Sequence, residues 1–273
     1  MSIFTVLIAG FLFLSTILTP HPSYAQAAAR FIPQDMLATP GEEVWLRVRL
    51  ESSRLLMPSR PVSGERVEFR KGDKLLGTAL TGGDGTAALK YRPASAGIQR
   101  IQVVLPQGGD YRADPGEIRV AVWPRGKPLL FVDLSATEDL PEQPTPLFGV
   151  PTDNPAPRPG GAESLKRLDS RYGVIYLVPP DRLLRVREWL DHHRFPLGPM
   201  VIWEGSGNLP RRWTEKGRNL RGGITASSDA AEAFRREGVR SILLVSRQEK
   251  KKEKSEKILK VADWEEVERF LLR

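Results

Sequence analysis

Residues 129–139 read LLFVDLSATED. An apolar run ends at Asp133 and gives way to small residues and a threonine. The run is too short for an ordinary helix and too apolar for a half-buried strand. It reads as a strand buried on both faces, with a carboxylate at its end. An aspartate in that place suits a nucleophile that forms an aspartyl-phosphate. Two residues on, where a second acid would protonate the leaving oxygen and then activate water, stands Ser135.

Working outward, residues 172–178 (YGVIYLV) and 241–245 (SILLV) repeat the apolar run of residues 128–133. Between them lie the helical patterns DRLLRVREWLDHH (181–193) and SDAAEAFRRE (228–237). Doubly apolar strands alternating with amphipathic helices predict a parallel sheet covered on both faces, an α/β architecture. The proline-rich stretch 141–161 follows the first strand directly and is expected above the strand ends, where ligands bind and lids sit.

Residues 40–124 keep a different rhythm. Val44, Leu46, Val48 and Leu50 alternate with Trp45, Arg47 and Arg49, the period of a half-buried strand. Further strands are expected at 66–70, 75–80, 86–91, 99–105 and 117–123, with Asp84-Gly85 as a tight turn. This pattern predicts an all-β sandwich. The period-two strands stop at Trp123, so residues 26–124 and 125–273 are expected to be two domains, the second starting near Arg125 and folding without help from the first.

Residues 1–25 are of another kind. A 16-residue apolar stretch, Ile3 to Leu18, carries no charge and is followed by Ser23-Tyr24-Ala25, small at the two positions a signal peptidase reads. It is short for a membrane span of roughly 20 residues. A signal peptide over 1–25 and an extracytoplasmic mature protein, secreted or periplasmic, are expected; an uncleaved membrane anchor is the alternative. The chain has no cysteine, which excludes a disulfide framework and a lipoprotein attachment site. The net charge of +8 is thinly spread, and no zinc spacing, RNA-binding aromatic signature or basic zipper accompanies it, so nucleic acid is excluded as a partner. The lysine-dense segment 248–257 is expected to be a solvated loop, with anionic lipid headgroups as a sharper reading. His192 and His193 are adjacent on a helix and diverge by about 100°, so they cannot share a metal. Asp263, with Glu266 three residues on, has the pattern of a helix cap.

The stretch 62–103, VSGERVEFRKGDKLLGTALTGGDGTAALKYRPASAGIQRIQV, resembles bacterial immunoglobulin-like domains, which implies a β-sandwich acting as spacer or binding platform. Four later stretches resemble the haloacid dehalogenase superfamily and its lipin-like phosphatidate phosphatase branch. PLLFVDLSATED (128–139) is similar to the nucleophile loop, and YGVIYLVPPDRLLRVREWLDHHRFPLGPMVI (172–202) to the second strand, its helix and the turn after it. ITASSDAAEAFRREGV (224–239) is similar to the acidic motif with its helix, and KILKVADWEEVERFL to the closing strand and helix.

The resemblance implies a Rossmann-like α/β domain with Asp133 as nucleophile and magnesium ligand, Thr137 bracing the loop, and Asp229 holding magnesium from the far side. Ser135 takes the position of the acid/base and of a further contributor to the metal. The family's phosphate-binding lysine falls at no aligned position; Lys216 is the candidate, with Arg211 and Arg212 behind it. Val178 replaces a threonine hydroxyl, and Pro179-Pro180 stands where a basic residue is usual. General acid–base catalysis contributes roughly 10²–10⁴-fold, so these replacements imply impaired or lost turnover. Asp229 also has the simpler reading of an acid in a helix's first turn. Three functions follow: a degenerate phosphatase-like domain binding a phosphorylated ligand, phospholipid or protein partner; an active magnesium-dependent phosphohydrolase whose acid comes from Glu138, Asp139, Glu142 or Asp153; or a cell-envelope scaffold working through its sandwich.

Overall fold

The computed structural model describes residues 26–52, 58–139, 155–204, 208–246 and 258–273. The expected signal segment, residues 141–154 of the proline-rich stretch (with Glu142 and Asp153) and the lysine-dense segment lie outside the described residues.

The N-terminal half is built of strands. β1 (Ala27–Gln34), β3 (Val44–Ser52), β6 (Thr86–Tyr91) and β8 (Tyr111–Arg112) form one sheet in the order β6-β3-β1-β8. β2 (Met36–Ala38), β4 (Arg66–Lys71), β5 (Lys74–Leu80), β7 (Gly97–Val104) and β9 (Gly116–Val122) form the second, ordered β2-β9-β7-β4-β5. The alternation in β3 buries Leu46, Val48 and Leu50 and exposes Arg47 and Arg49. Those three meet Phe69, Ile101 and Val120 of the facing sheet in one core. Gly85 takes φ 77° in the turn before β6, where Asp84 Oδ1 accepts the Thr86 amide at 2.9 Å. β1 and β2 are absent from the strands that periodicity predicts.

The C-terminal half is a six-stranded parallel sheet of β10 (Leu129–Asp133), β13 (Gly173–Val178), β14 (Met200–Ile202), β15 (Leu220–Thr225), β16 (Ser241–Leu244) and β17 (Ile258–Val261). A short ribbon, β11 (Glu138–Asp139) with β12 (Ala156–Pro157), closes the base of the segment between them. The sheet order is β14-β13-β10-β15-β16-β17, so the first strand sits centrally and the chain winds outward in both directions. Such a doubly wound sheet has its switch point between β10 and β15, and opens a crevice at their carboxyl ends.

Helices cover both faces. Leu130 and Val132 point into a core shared with α2 (Gly161–Asp169), α3 (Leu183–His192) and α6 (Trp264–Leu272). Leu129 and Phe131 point the other way, toward α4 (Leu209–Glu215) and α5 (Ser228–Arg236). The cap of α6 is the one its sequence predicts: Asp263 Oδ1 accepts the Glu266 amide at 3.0 Å, and Glu266 Oε2 accepts that of Ala262 at 2.9 Å.

The two halves meet in buried contacts, which bear on the expectation that the second folds without the first. Ala121 and Trp123 of the strand-rich half belong to the same buried cluster as Phe131, Ile175 and Phe234. A Cβ on Gly173 would stand 2.5 Å from the Trp123 ring, so the strand and the indole meet only because that residue is glycine. Polar contacts lock the same junction. Buried Arg119 donates to Glu117 Oε1 at 2.9 Å and pairs with Asp191 of α3. Buried Asp35, between β1 and β2, accepts from the Arg119 amide at 2.8 Å and the Met200 amide at 2.9 Å.

Candidate functional site at the switch point

Asp133 ends β10, and the chain turns at once into α1 (Leu134–Thr137), whose Leu134 and Ser135 amides lie near its carboxylate without capping the helix through it. Two hydroxyls complete the shell. Ser135 Oγ donates to Oδ2 at 2.5 Å and Thr225 Oγ1 to the same oxygen at 2.7 Å. Ser135 Oγ itself accepts the Ala226 amide at 3.1 Å, and Thr225 Oγ1 accepts that of Ser227 at 2.9 Å. Thr225 is the last residue of β15, so this network crosses the switch point, where Asp133 and Ser135 stay partly exposed. Burial pushes the Asp133 pKa above the ordinary carboxylate value, while the two hydroxyls and the two amides pull it back.

Ser135, expected at the acid/base position, directs its proton at Asp133. Thr137 is buried and donates to the Leu134 carbonyl at 2.8 Å, bracing the turn. Trp264 holds the same turn by donating from Nε1 to the Ala136 carbonyl at 3.0 Å. Val178, at the end of β13, is fully buried and offers no polar atom to the crevice. Of the substitute acids, Glu138 is buried and taken by a bidentate pair with Arg182, at 2.6 and 2.8 Å. Asp139 is exposed on the ribbon.

One expected member, Lys216, lies apart, and Asp229 sits on the helix that follows β15. Asp229 is exposed in the first turn of α5, whose cap is Ser227 Oγ accepting the Ala230 amide at 3.3 Å. Lys216 follows α4 and precedes β15, whereas Thr225 and Asp133 sit at the far end of that strand. Six residues of strand span roughly 17 Å, so Lys216 cannot contact a phosphoryl group on Asp133. The displacement has a physical cause: α4 is a crossover helix, and its last turn returns the chain to the opposite edge of the sheet. Thr225 is the member that sequence reasoning missed; its only signal is its place at the end of LRGGIT.

The donor set around Asp133 offers magnesium few uncommitted oxygens. Magnesium takes an octahedron of oxygens, several of them waters, with one or two carboxylates. Oδ2 of Asp133 is already committed to two hydroxyls, and Ser135 Oγ has both a donor and an acceptor partner. Among the described residues no three His, Cys, Asp or Glu side chains cluster as a metal site requires.

No family model matches the chain, and no curated protein matches it. Among solved structures, it is similar to a CARDB domain from Pyrococcus furiosus, solved in complex with di-metal ions. That match has a TM-score of 0.22 and 13% identity over 36% of this chain and 94% of the other. A likeness at that level carries no argument about fold or function. Among the described residues no helix is long and apolar enough to cross a membrane.

Proposed function

We propose that the chain is an exported binding protein whose α/β half is a haloacid-dehalogenase-like, lipin-related domain without phosphatase turnover. An immunoglobulin-like sandwich precedes it in this reading. The observation that carries the proposal is the closure of Asp133 Oδ2 by Ser135 and Thr225. Turnover needs a proton donor for the leaving oxygen and contacts to the transferring phosphoryl group, besides an attacking carboxylate. Here both hydroxyls donate to the nucleophile, and Val178 adds no phosphoryl contact. The half-buried carboxylate supports the local fold, which leaves binding as the function of the domain. Two observations favour the phosphatase-like ancestry: the doubly wound strand order, and an aspartate at its switch point.

The test is phosphate release from p-nitrophenyl phosphate and from phosphatidate in mixed micelles, with magnesium, against Asp133→Asn. Equal, background rates for both proteins are expected. Turnover of about 1 s⁻¹ or more, in the range of ordinary enzymes, that disappears in Asp133→Asn overturns the reading. Export is tested by sequencing the N-terminus of protein recovered from its own cell; a chain beginning near Gln26 is expected, and an intact Met1 in the cytosol would refute it.

A further inference from the structure

A second cleft, of about 650 Å³, lies at the junction of the two halves, between α4 and the β1–β2 corner. One wall is a single face of α4, because Leu209, Arg212, Trp213 and Lys216 fall three or four residues apart. Arg125 comes from the connection between the halves, and Arg218 from the turn that Gly217 opens with φ 72°. Apolar surface is supplied by Leu37 and Trp213, and Trp213 is held edge-on to Phe131 at 5.4 Å.

The charges in this cleft do not balance. Of its two carboxylates, Asp35 is matched to Arg187. Glu42 gives Oε2 to the Thr39 amide at 2.8 Å and the Thr39 hydroxyl at 2.7 Å, leaving Arg218 Nη2 at 3.6 Å, beyond hydrogen-bond reach. Arg218 is nevertheless largely buried, with 12% of its side chain exposed. Burial pushes its pKa down, Glu42 restores part of the shift, and neighbouring Arg125 adds to it. The carboxyl-terminal end of α4 accounts for cations at Arg212 and Lys216 through the helix dipole. It does not account for Arg125 and Arg218, which lie outside the helix and face the same space.

We propose that this cleft binds a phosphate-bearing anion, of the phosphomonoester class, with an apolar substituent laid against Trp213 and Leu37. Guanidinium forks match phosphate oxygens in pairs, and several convergent cations suit a doubly charged tetrahedral group better than a single carboxylate. The site is distinct from the Asp133 crevice, and it gives Lys216 a phosphate to bind at the opposite edge of the sheet. Because it does not depend on hydrolysis, it stands or falls separately from the lack of turnover.

Binding to the full chain is measured by calorimetry with phenyl phosphate and by flotation with phosphatidylcholine vesicles carrying phosphatidate. Saturable binding of phenyl phosphate is expected, weakened about tenfold by Arg212→Gln and by Lys216→Gln, the loss of one charge-assisted contact each. Both residues are exposed, so these variants keep the fold, and Asp133→Asn should bind like the parent protein. Vesicle binding without phenyl phosphate binding, weakened by the same two variants, would identify the source as a lipid headgroup and still support the site. No binding in either assay overturns the proposal. So does binding that ignores Arg212 and Lys216, or binding that Asp133→Asn abolishes.

Discussion

Both carboxylate oxygens of Asp35 accept from Nη2 of Arg187, 2.9 and 3.0 Å away, joining the β1–β2 corner to helix α3. Burial pushes the Asp35 pKa up against the opposing pull of Arg187 and of the Arg119 and Met200 amides. A buried pair of this kind adds little over an apolar contact. Removing one partner is costly, because the other charge stays buried alone. Asp35→Ala should therefore lower the unfolding free energy of the full chain by about 3–5 kcal/mol. Urea unfolding measures this, and a loss below about 1 kcal/mol, the scale of a surface pair, would show that the junction is not held there.

The shared core carries a second prediction. A fragment beginning at Arg125 lacks Trp123 and Ala121, whose apolar surface closes the cluster around Phe131, Ile175 and Phe234. It also leaves Arg187 without Asp35 and Asp191 without Arg119. That fragment should keep its far-ultraviolet dichroism, lose the near-ultraviolet signal and bind a hydrophobic dye, the signature of lost packing. A sharp, cooperative thermal transition in the fragment would contradict it.

How much of this was legible depends on whether the deciding contact is local. The alternation of β3, the doubly apolar runs of β10, β13 and β16, and the cap at Asp263 are written in neighbouring residues, and the sequence alone places them. β15 is not, because Gly222-Gly223 reads as a chain breaker. Only the packed structure shows that a Cβ on Gly223 would stand 2.4 Å from the Phe234 ring of α5. β1 is hidden by its alanines and Pro33, weak strand formers rescued by pairing with β3. Of the site, Asp133, Ser135 and Thr137 follow from one short loop. Thr225 arrives from 92 residues away, and Asp35 meets Arg187 across 152, separations that no local pattern encodes.

Asp133 gives a prediction with a definite sign. Its folded-state pKa is raised, burial outweighing its hydrogen bonds. Between the unfolded and folded pKa values the native state holds more protons, so stability falls as pH rises through that window. Asp133→Asn removes the titration and cancels the contributions of other acids in the comparison. The melting temperature of Asp133→Asn relative to the parent should therefore be more favourable at pH 7 than at pH 4. A difference that is constant with pH, or that runs the other way, would mean that hydrogen bonding outweighs burial at this carboxylate.

Restoring the missing catalytic groups is expected to damage the protein before it creates an enzyme. Ser135 Oγ lies 2.5 Å from Asp133 Oδ2, so Ser135→Asp sets a second carboxylate against a half-buried one. Like charges at that separation cannot both ionise, and one pKa of the pair must rise. The substitution also removes a hydroxyl donor from Asp133 and places an anion beside the Thr225 hydroxyl, which loses its 3.2 Å contact with Ser135. Val178→Thr puts a hydroxyl into a fully buried position at the end of β13, where an unpaired polar group costs about 1–3 kcal/mol. The double variant should unfold at lower urea than the parent at pH 7. It should regain part of the difference at pH 4, where the new pair shares a proton. Its phosphate release should stay at background, because Lys216 remains at the opposite edge of the sheet. A double variant as stable as the parent and turning over phosphomonoesters would show that the switch-point crevice is open to substrate, and that the hydroxyl closure around Asp133 is not what silences it.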